Sequence, residues 1–323
     1  MAVYTHVTAD DIAIFIAGYD VGEVVSLKGI AEGVENSNYL LSTTKDKYIL
    51  TLFEKRVNED DLPFFMGLMT HLAGKGINCA EPIKDRGGNV LKELCGRPAA
   101  LIGFLNGLSV THPSVQNCSE LGAAMAEMHL GVSDFKMTRK NNLSVEGWIK
   151  LSEKCQSRAD ECEVGLRGIV HDEMSFLKDN WPTNLPEGII HADLFTDNVF
   201  FLDGKLSGLI DYYFSCSDIL VYDVAICINA WCFENDGSFN AMKAAGLVAG
   251  YQKIRPLSED EINVLPILCR GSALRFLLTR LYDWLNQVEG ALVKTKDPFE
   301  YLSKLQFHQN IKSADEYGVE KRS

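Results

Sequence analysis

No two cysteines in this chain are spaced as CxxC, although nine are scattered from Cys79 to Cys269. That pattern suggests neither a zinc site nor a disulfide framework, and the thiols in apolar helical stretches behave as small hydrophobes. Basic charge is scarce too: a formal net charge of −13 argues against nucleic acid as the main partner, because phosphate backbones are held by basic stripes. No run approaches the roughly 18 uncharged apolar residues of a membrane span, so no membrane partner is expected. The opening MAVYTHVTADDIAIF places acids where a secretion signal needs a basic region. These absences, with no internal repeat or low-complexity tract, predict a soluble cytoplasmic protein.

What is present is an ordinary globular composition, 46% hydrophobic and 23% charged, over 323 residues. That length exceeds the usual single domain and predicts two lobes. A short amphipathic helix is expected over residues 10–18, then three strands within VGEVVSLKGIAEGVENSNYLLSTTKDKYILTLFEK. Leu62, Phe65, Met66, Leu68, Met69 and Leu72 recur at helical spacing, with Gly74 or Gly76 as the stop. Strand-like pieces follow at 90–94 and 99–105, the second leaving through Asn106-Gly107 as a lobe boundary. Beyond it the pattern is mainly helical: 119–130, 145–162, 166–181, 219–234, 239–254, 259–288 and 298–311. An N-terminal antiparallel-sheet lobe, 1–105, and a larger mostly helical lobe, 106–323, are the expected division.

One stretch interrupts the helices. In GIIHADLFTDNVFFLDGKLSGLIDYY, Asp193 and Asn198 stand five apart on a turn before a predicted strand over 199–202, and Asp211 follows a second over 206–210. Asp203-Gly204 is a tight-turn dipeptide, so the two strands form a hairpin and the three polar residues converge at one end. Phosphoryl transfer needs a carboxylate to orient or deprotonate an attacking hydroxyl, plus an amide and a second carboxylate to hold magnesium on a polyphosphate. An HxD triplet alone is as readily a cap or a turn; Asn198 and Asp211 in register with it carry the chemical reading.

HxDLxxxN followed thirteen residues later by an aspartate after an apolar strand resembles the catalytic and metal-binding loops of the protein-kinase-like fold. HADLFTDN in place of HRDLKxxN, and IDYYF in place of DFG, is more similar to the aminoglycoside phosphotransferase and choline kinase branch. Within it, GIIHADLFTDNVFF, GLIDYYFSCSDILVYDVAICINAWC, AEGVENSNYLL, YILTLFEKR and ALRFLLTRLYDW closely resemble the bacterial homoserine kinase family, from about Tyr4 to Asn310. The resemblance implies a two-lobed α+β kinase-like fold that uses ATP and Mg2+. It implies Asp193 as catalytic base, Asn198 and Asp211 as magnesium ligands, His191 as a loop-stabilising residue and Asp223 as a structural brace. The implied substrate is L-homoserine, phosphorylated on its side-chain hydroxyl for threonine biosynthesis by a monomer or weak homodimer.

Gly29 and Gly33 lie between strands where such a fold closes a loop over ATP phosphates, although GxxxG in a hairpin is most often only a turn. Adenine is expected against Ile102, Gly103, Phe104 and Leu105, which serve equally well as an ordinary core strand. Two positions depart from the kinase pattern. Thr51 stands where the strand lysine is expected, with Lys55 on the same face as a substitute, and Phe195 replaces the lysine that often follows the catalytic aspartate. Asp193 needs no raised pKa, because aligning the hydroxyl matters more than strong deprotonation.

The acceptor's carboxylate calls for a cation: Arg275 or Arg280, which point about 140° apart on an ideal helix, unless each pairs with a structural acid. Its ammonium has candidates in Tyr212, Tyr213, Asp218, Asn36 and Asn38. Asn229 and Trp231 either edge the pocket or pack the core, and His129 is expected to be a packing residue. Choline remains an alternative acceptor through an aromatic cage of Tyr212, Tyr213, Phe214 and Trp231. Aminoglycoside, methylthioribose and hydroxylysine are others. A catalytically silent binding module is the alternative from another class.

Overall fold

The computed structural model describes residues 4–30, 36–54, 57–287 and 295–319; Gly33 and Lys55 lie outside them. The chain forms two compact units, Met1–Asn106 with Gly208–Ile210, and Gly107–Ser207 with Asp211–Ser323.

In the first unit, helix α1 (Ala9–Ile16) starts at a capping box in which Thr8 and Asp11 exchange hydrogen bonds. Strands β1 (Val24–Gly29), β2 (Ser37–Thr43) and β3 (Lys47–Leu52) precede α2 (Leu62–Gly74), and β4 (Lys92–Leu94) and β5 (Arg97–Gly103) complete an antiparallel sheet of order β1-β2-β3-β5-β4. Period-two alternation places Tyr39, Leu41, Leu50, Leu52, Ala99 and Leu101 on one face, in a core shared with Ile12, Phe15 and Ile16 of α1. Asn38, Thr51 and Ala100 pair across the opposite face. There Thr51 is buried and its hydroxyl donates to Asn38 Oδ1 at 2.8 Å. The position of the expected strand lysine thus holds a neutral, satisfied pair.

The second unit is built from α3 (Val115–Gly131), α4 (Val145–Cys155), α5 (Ala159–Cys162), α6 (Leu166–Asn180), α7 (Leu220–Trp231), α8 (Ala241–Ile254), α9 (Glu259–Asn263), α10 (Leu265–Leu285) and α11 (Pro298–Asn310). Between α6 and α7 run β6 (Glu187–Ile190), β7 (Val199–Leu202), β8 (Lys205–Leu209) and β9 (Cys216–Ile219); β6 pairs with β9 and β7 with β8. Helices α3 and α8 approach through glycine: a Cβ on Gly122 would overlap Leu247 O, and one on Gly250 would overlap Ser119 O. The contact is backbone against backbone. Helix α7 is buried along nearly its whole length, which its apolar sequence LVYDVAICINAW predicts.

Three expectations require correction. The helix expected over 145–162 is broken into α4 and α5, where Arg158 turns its guanidinium onto Leu285 O at 2.7 Å. The one expected over 259–288 is broken at Val264, because Pro266 has no N–H with which to continue the ladder. Ile219, expected to open the helix over 219–234, ends instead a strand, β9, which is too short for periodicity to reveal. No helix among the described residues is long and apolar enough to cross a membrane.

Candidate active site

Strand β6 delivers His191, and the chain then turns sharply: Ala192 has φ +66°, in the left-handed region where alanine is disfavoured. Both of its backbone groups are pinned. Asp223, on α7, accepts the N–H of His191 on Oδ2 and that of Ala192 on Oδ1, each at 2.7 Å. Arg275, on α10, donates Nη1–H to Ala192 O at 2.7 Å. Trp231 donates its indole N–H to Leu194 O at 2.7 Å. The loop 191–194 is therefore clamped by side chains from two helices, so the strained turn is held from outside itself.

Asp223 is fully buried. Burial pushes its carboxyl up, but His129, the His191 backbone N–H and the nearby imidazoles hold it below the ordinary carboxylate range. His129 is not simply a packing residue. Its Nε2 lies 3.1 Å from Asp223 Oδ2 and its Nδ1 2.8 Å from Tyr251 Oη, and Arg255 links that hydroxyl to Glu261. A lone histidine at a helix end gives no sign in sequence of partners about a hundred residues away.

Asp193 follows on this clamped turn with its side chain half-buried. Asn198 donates its amide N–H to Asp193 O at 2.8 Å and to Asp193 Oδ2 at 3.3 Å, which fixes the carboxylate. Burial raises the Asp193 pKa to about 6, against the opposing pull of Arg275 and Lys296. The β7–β8 turn has Asp203 and Gly204 both at positive φ, as a tight two-residue hairpin turn demands. Asp211 follows the second strand at φ +64° and opens a single 3-10 turn, Tyr212–Phe214. Tyr212 is buried with its ring centroid 4.6 Å from that of His191.

Mg2+, which the fold family implies, suits these residues. The described residues hold no group of three or more His, Cys, Asp or Glu that would cage a metal. Asn198 and Asp211 supply hard oxygen donors, and Mg2+ takes few protein ligands because it keeps waters and phosphate oxygens. With its N–H turned to Asp193, Asn198 has its amide oxygen as the donor atom it would offer a metal.

The two arginines have different surroundings. Arg275 is buried, lies 4.5 Å from the Phe276 ring and 5.9 Å from that of Phe214, and is tied to Ala192 O. Arg280 is paired with Glu300 at 2.6 Å and with Asp297 O at 2.8 Å. Trp231 and Asn229 are both fully buried; Asn229 is bound by His308 and Cys269 O. Asp218 is held by Asn141 at 2.6 Å, and burial raises its carboxyl.

Gly29, Asn36, Asn38, Ile102, Gly103, Phe104 and Leu105 belong to the first unit. Gly29 ends β1 opposite Tyr39, Asn36 Oδ1 accepts the Glu54 N–H at 3.4 Å, and Gly103 N–H is bound to Glu81 O. Phe104 is the exposed ring after β5, with Lys47 Nζ 5.9 Å from its centroid. A residue the sequence pattern does not single out, Lys296, stands over Phe195 with Nζ 5.0 Å from the ring centroid.

The antiparallel-sheet unit and the helical unit together are those of the kinase-like phosphotransferases: an amicoumacin kinase solved with AMP-PNP, Ca2+ and Ami superimposes with a TM-score of 0.68 at 15% identity, over 96% of this chain and 94% of that one. Residues 26–257 match the phosphotransferase enzyme family. Over 319 residues the chain is 57% identical to the homoserine kinase of Xanthobacter autotrophicus and 58% identical to that of Agrobacterium fabrum, covering 99% of both chains in each case. It belongs to the phosphotransferase enzyme family and, within it, to the family of these homoserine kinases.

Proposed function

We infer that the protein transfers the γ-phosphoryl group of ATP to the side-chain hydroxyl of L-homoserine, giving O-phospho-L-homoserine and ADP, a step of threonine biosynthesis. The observation that carries this reading is the identity to homoserine kinases across nearly the whole chain. In the transfer the hydroxyl oxygen bonds to the γ-phosphorus, the bond to the β-phosphate oxygen breaks, and the hydroxyl proton passes to Asp193. With a pKa of about 6 Asp193 is ionised at neutral pH, yet basic enough to accept that proton late in a loose transition state. Asn198 holds it in place. Asn198 and Asp211 would hold Mg2+, which when bound would neutralise phosphate charge. The nucleotide is assigned to the first unit, with Gly29 and the segment 102–105 as its contacts and 1–105 as the nucleotide-binding lobe; Tyr212 and Tyr213 are assigned to the acceptor.

The test is ADP release with homoserine, choline and an aminoglycoside as acceptors. Homoserine is expected to give the highest kcat/KM. Faster turnover of another alcohol overturns the substrate, and no acceptor-dependent turnover overturns the enzyme.

A further inference from the structure

Homoserine is a zwitterion at neutral pH, and a site that selects it must offer its carboxylate a cation. The catalytic loop 191–198 contains no lysine or arginine. Arg275 is buried with 1% exposure and spends its Nη1 on Ala192 O; Arg280 is closed by Glu300 and Asp297 O. Arg280 has its anionic acceptor; Arg275 binds a carbonyl through Nη1 and keeps its Nε unpartnered, but at 1% exposure its guanidinium is closed off from the surface. Lys296 differs. Its side chain is 62% exposed, its ammonium lies over Phe195, two residues from Asp193, and its nearest acid among the described residues, Asp197, is a loose partner at 3.9 Å that is itself 66% exposed. Such a pair is weak and leaves the ammonium available to a better-placed anion. After Arg275, the charge of Lys296 is the next to lower the proton affinity of Asp193.

The backbone beside Lys296 is fixed. Asp297 caps α11 by accepting the Phe299 N–H at 2.9 Å, and its carbonyl accepts from Arg280 at 2.8 Å. The Phe195 ring packs edge-on against Phe276, with centroids 4.9 Å apart, and against Tyr301 at 6.4 Å. A flexible lysine stem is thereby presented from an anchored residue across a fixed aromatic surface.

We propose that Lys296 binds the α-carboxylate of the acceptor and so selects an amino-acid alcohol. This rests on the reading of the site as an alcohol kinase. The four-carbon homoserine places its carboxylate a few ångströms from its hydroxyl, which matches a cation beside the aspartate that receives the hydroxyl proton.

The experiment compares wild type with Lys296→Met and Lys296→Arg, using homoserine as substrate and 3-aminopropan-1-ol, which is homoserine without its carboxylate, as a competing ligand. The expected result is a rise of about 10- to 100-fold in KM for homoserine in Lys296→Met, the worth of one charge-assisted hydrogen bond, with kcat within about threefold. The inhibition constant of 3-aminopropan-1-ol should be unchanged, and Lys296→Arg should recover much of the affinity. A fall in kcat with KM unchanged would assign the ammonium to the phosphoryl group and overturn the proposal. Equal losses for both ligands, or no loss, would also overturn it. If wild type itself fails to turn over homoserine, the alcohol-kinase reading has failed instead, a result separate from any effect of the substitution.

Discussion

Asp223 Oδ1 accepts the backbone N–H of Ala192 at 2.7 Å, although the two residues are 31 apart in the chain. Ala192 is the residue at φ +66° that turns the chain into Asp193, so a buried carboxylate on α7 sets the direction of the Asp193 side chain. Asp223→Ala leaves two buried N–H groups and His129 without an acceptor. The expected loss is about 3–5 kcal/mol of stability, with kcat lowered in whatever fraction still folds, measured by chemical denaturation and initial rates. Because its carboxyl is held below the ordinary value, its contribution is present above the unfolded pKa. It is lost only as pH falls through the lower folded value, in the acid-denaturation range.

Asp193 has the opposite sign. Its pKa is raised to about 6, so activity should fall as pH drops below about 6, approaching tenfold per pH unit, as the base is protonated. Rates from pH 5 to 8 check this; a profile flat to pH 5 would contradict the raised value.

The same shift makes ionised Asp193 a liability for the fold. Between its unfolded and folded pKa values the native state binds the extra proton, so its contribution to stability falls as pH rises from about 4 to 6. Asp193→Asn, measured without nucleotide at pH 8, should be more stable than wild type by about 1–2 kcal/mol, a figure reduced for partial exposure. Its kcat should fall by about three orders of magnitude or more while ATP binding persists. Equal or lower stability would argue against the desolvated carboxylate.

Trp231→Phe keeps most of the ring and removes the donor to Leu194 O. Leaving that buried carbonyl unpaired should cost about 1–3 kcal/mol in Tm-derived or denaturant-derived stability, with a smaller effect on KM than on kcat. An unchanged kcat would show that the loop does not need this clamp.

Gly122→Ala places a methyl group against Leu247 O in the α3–α8 contact. Despite alanine's better helix propensity, the forced separation of two backbones should destabilise the protein by about 1–3 kcal/mol or more. A stabilised variant would mean that the helices part at little cost.

Local chemistry made much of this legible in advance. Turn dipeptides, period-two and period-3.6 patterns marked most elements, because these are properties of neighbouring residues. Asn198 was legible as a neighbour of Asp193 because one short turn carries both. Arginines 275 and 280 were equally plausible from helix geometry alone; the structure ties Arg275 to Ala192 O and Arg280 to Glu300, and sets Lys296, which no motif contains, over Phe195.

By itself the sequence determined the order of the groups: an aspartate, an amide and an aspartate set around a tight turn, each flanked by segments apolar enough to be buried. Only the tertiary structure decided what holds that turn in its strained form and which exposed cation stands next to it. The reason is physical: strain at Ala192 is sustained, and a lysine is left available, by partners from α7, α10 and α11, and the distance between those partners along the chain carries no local signal.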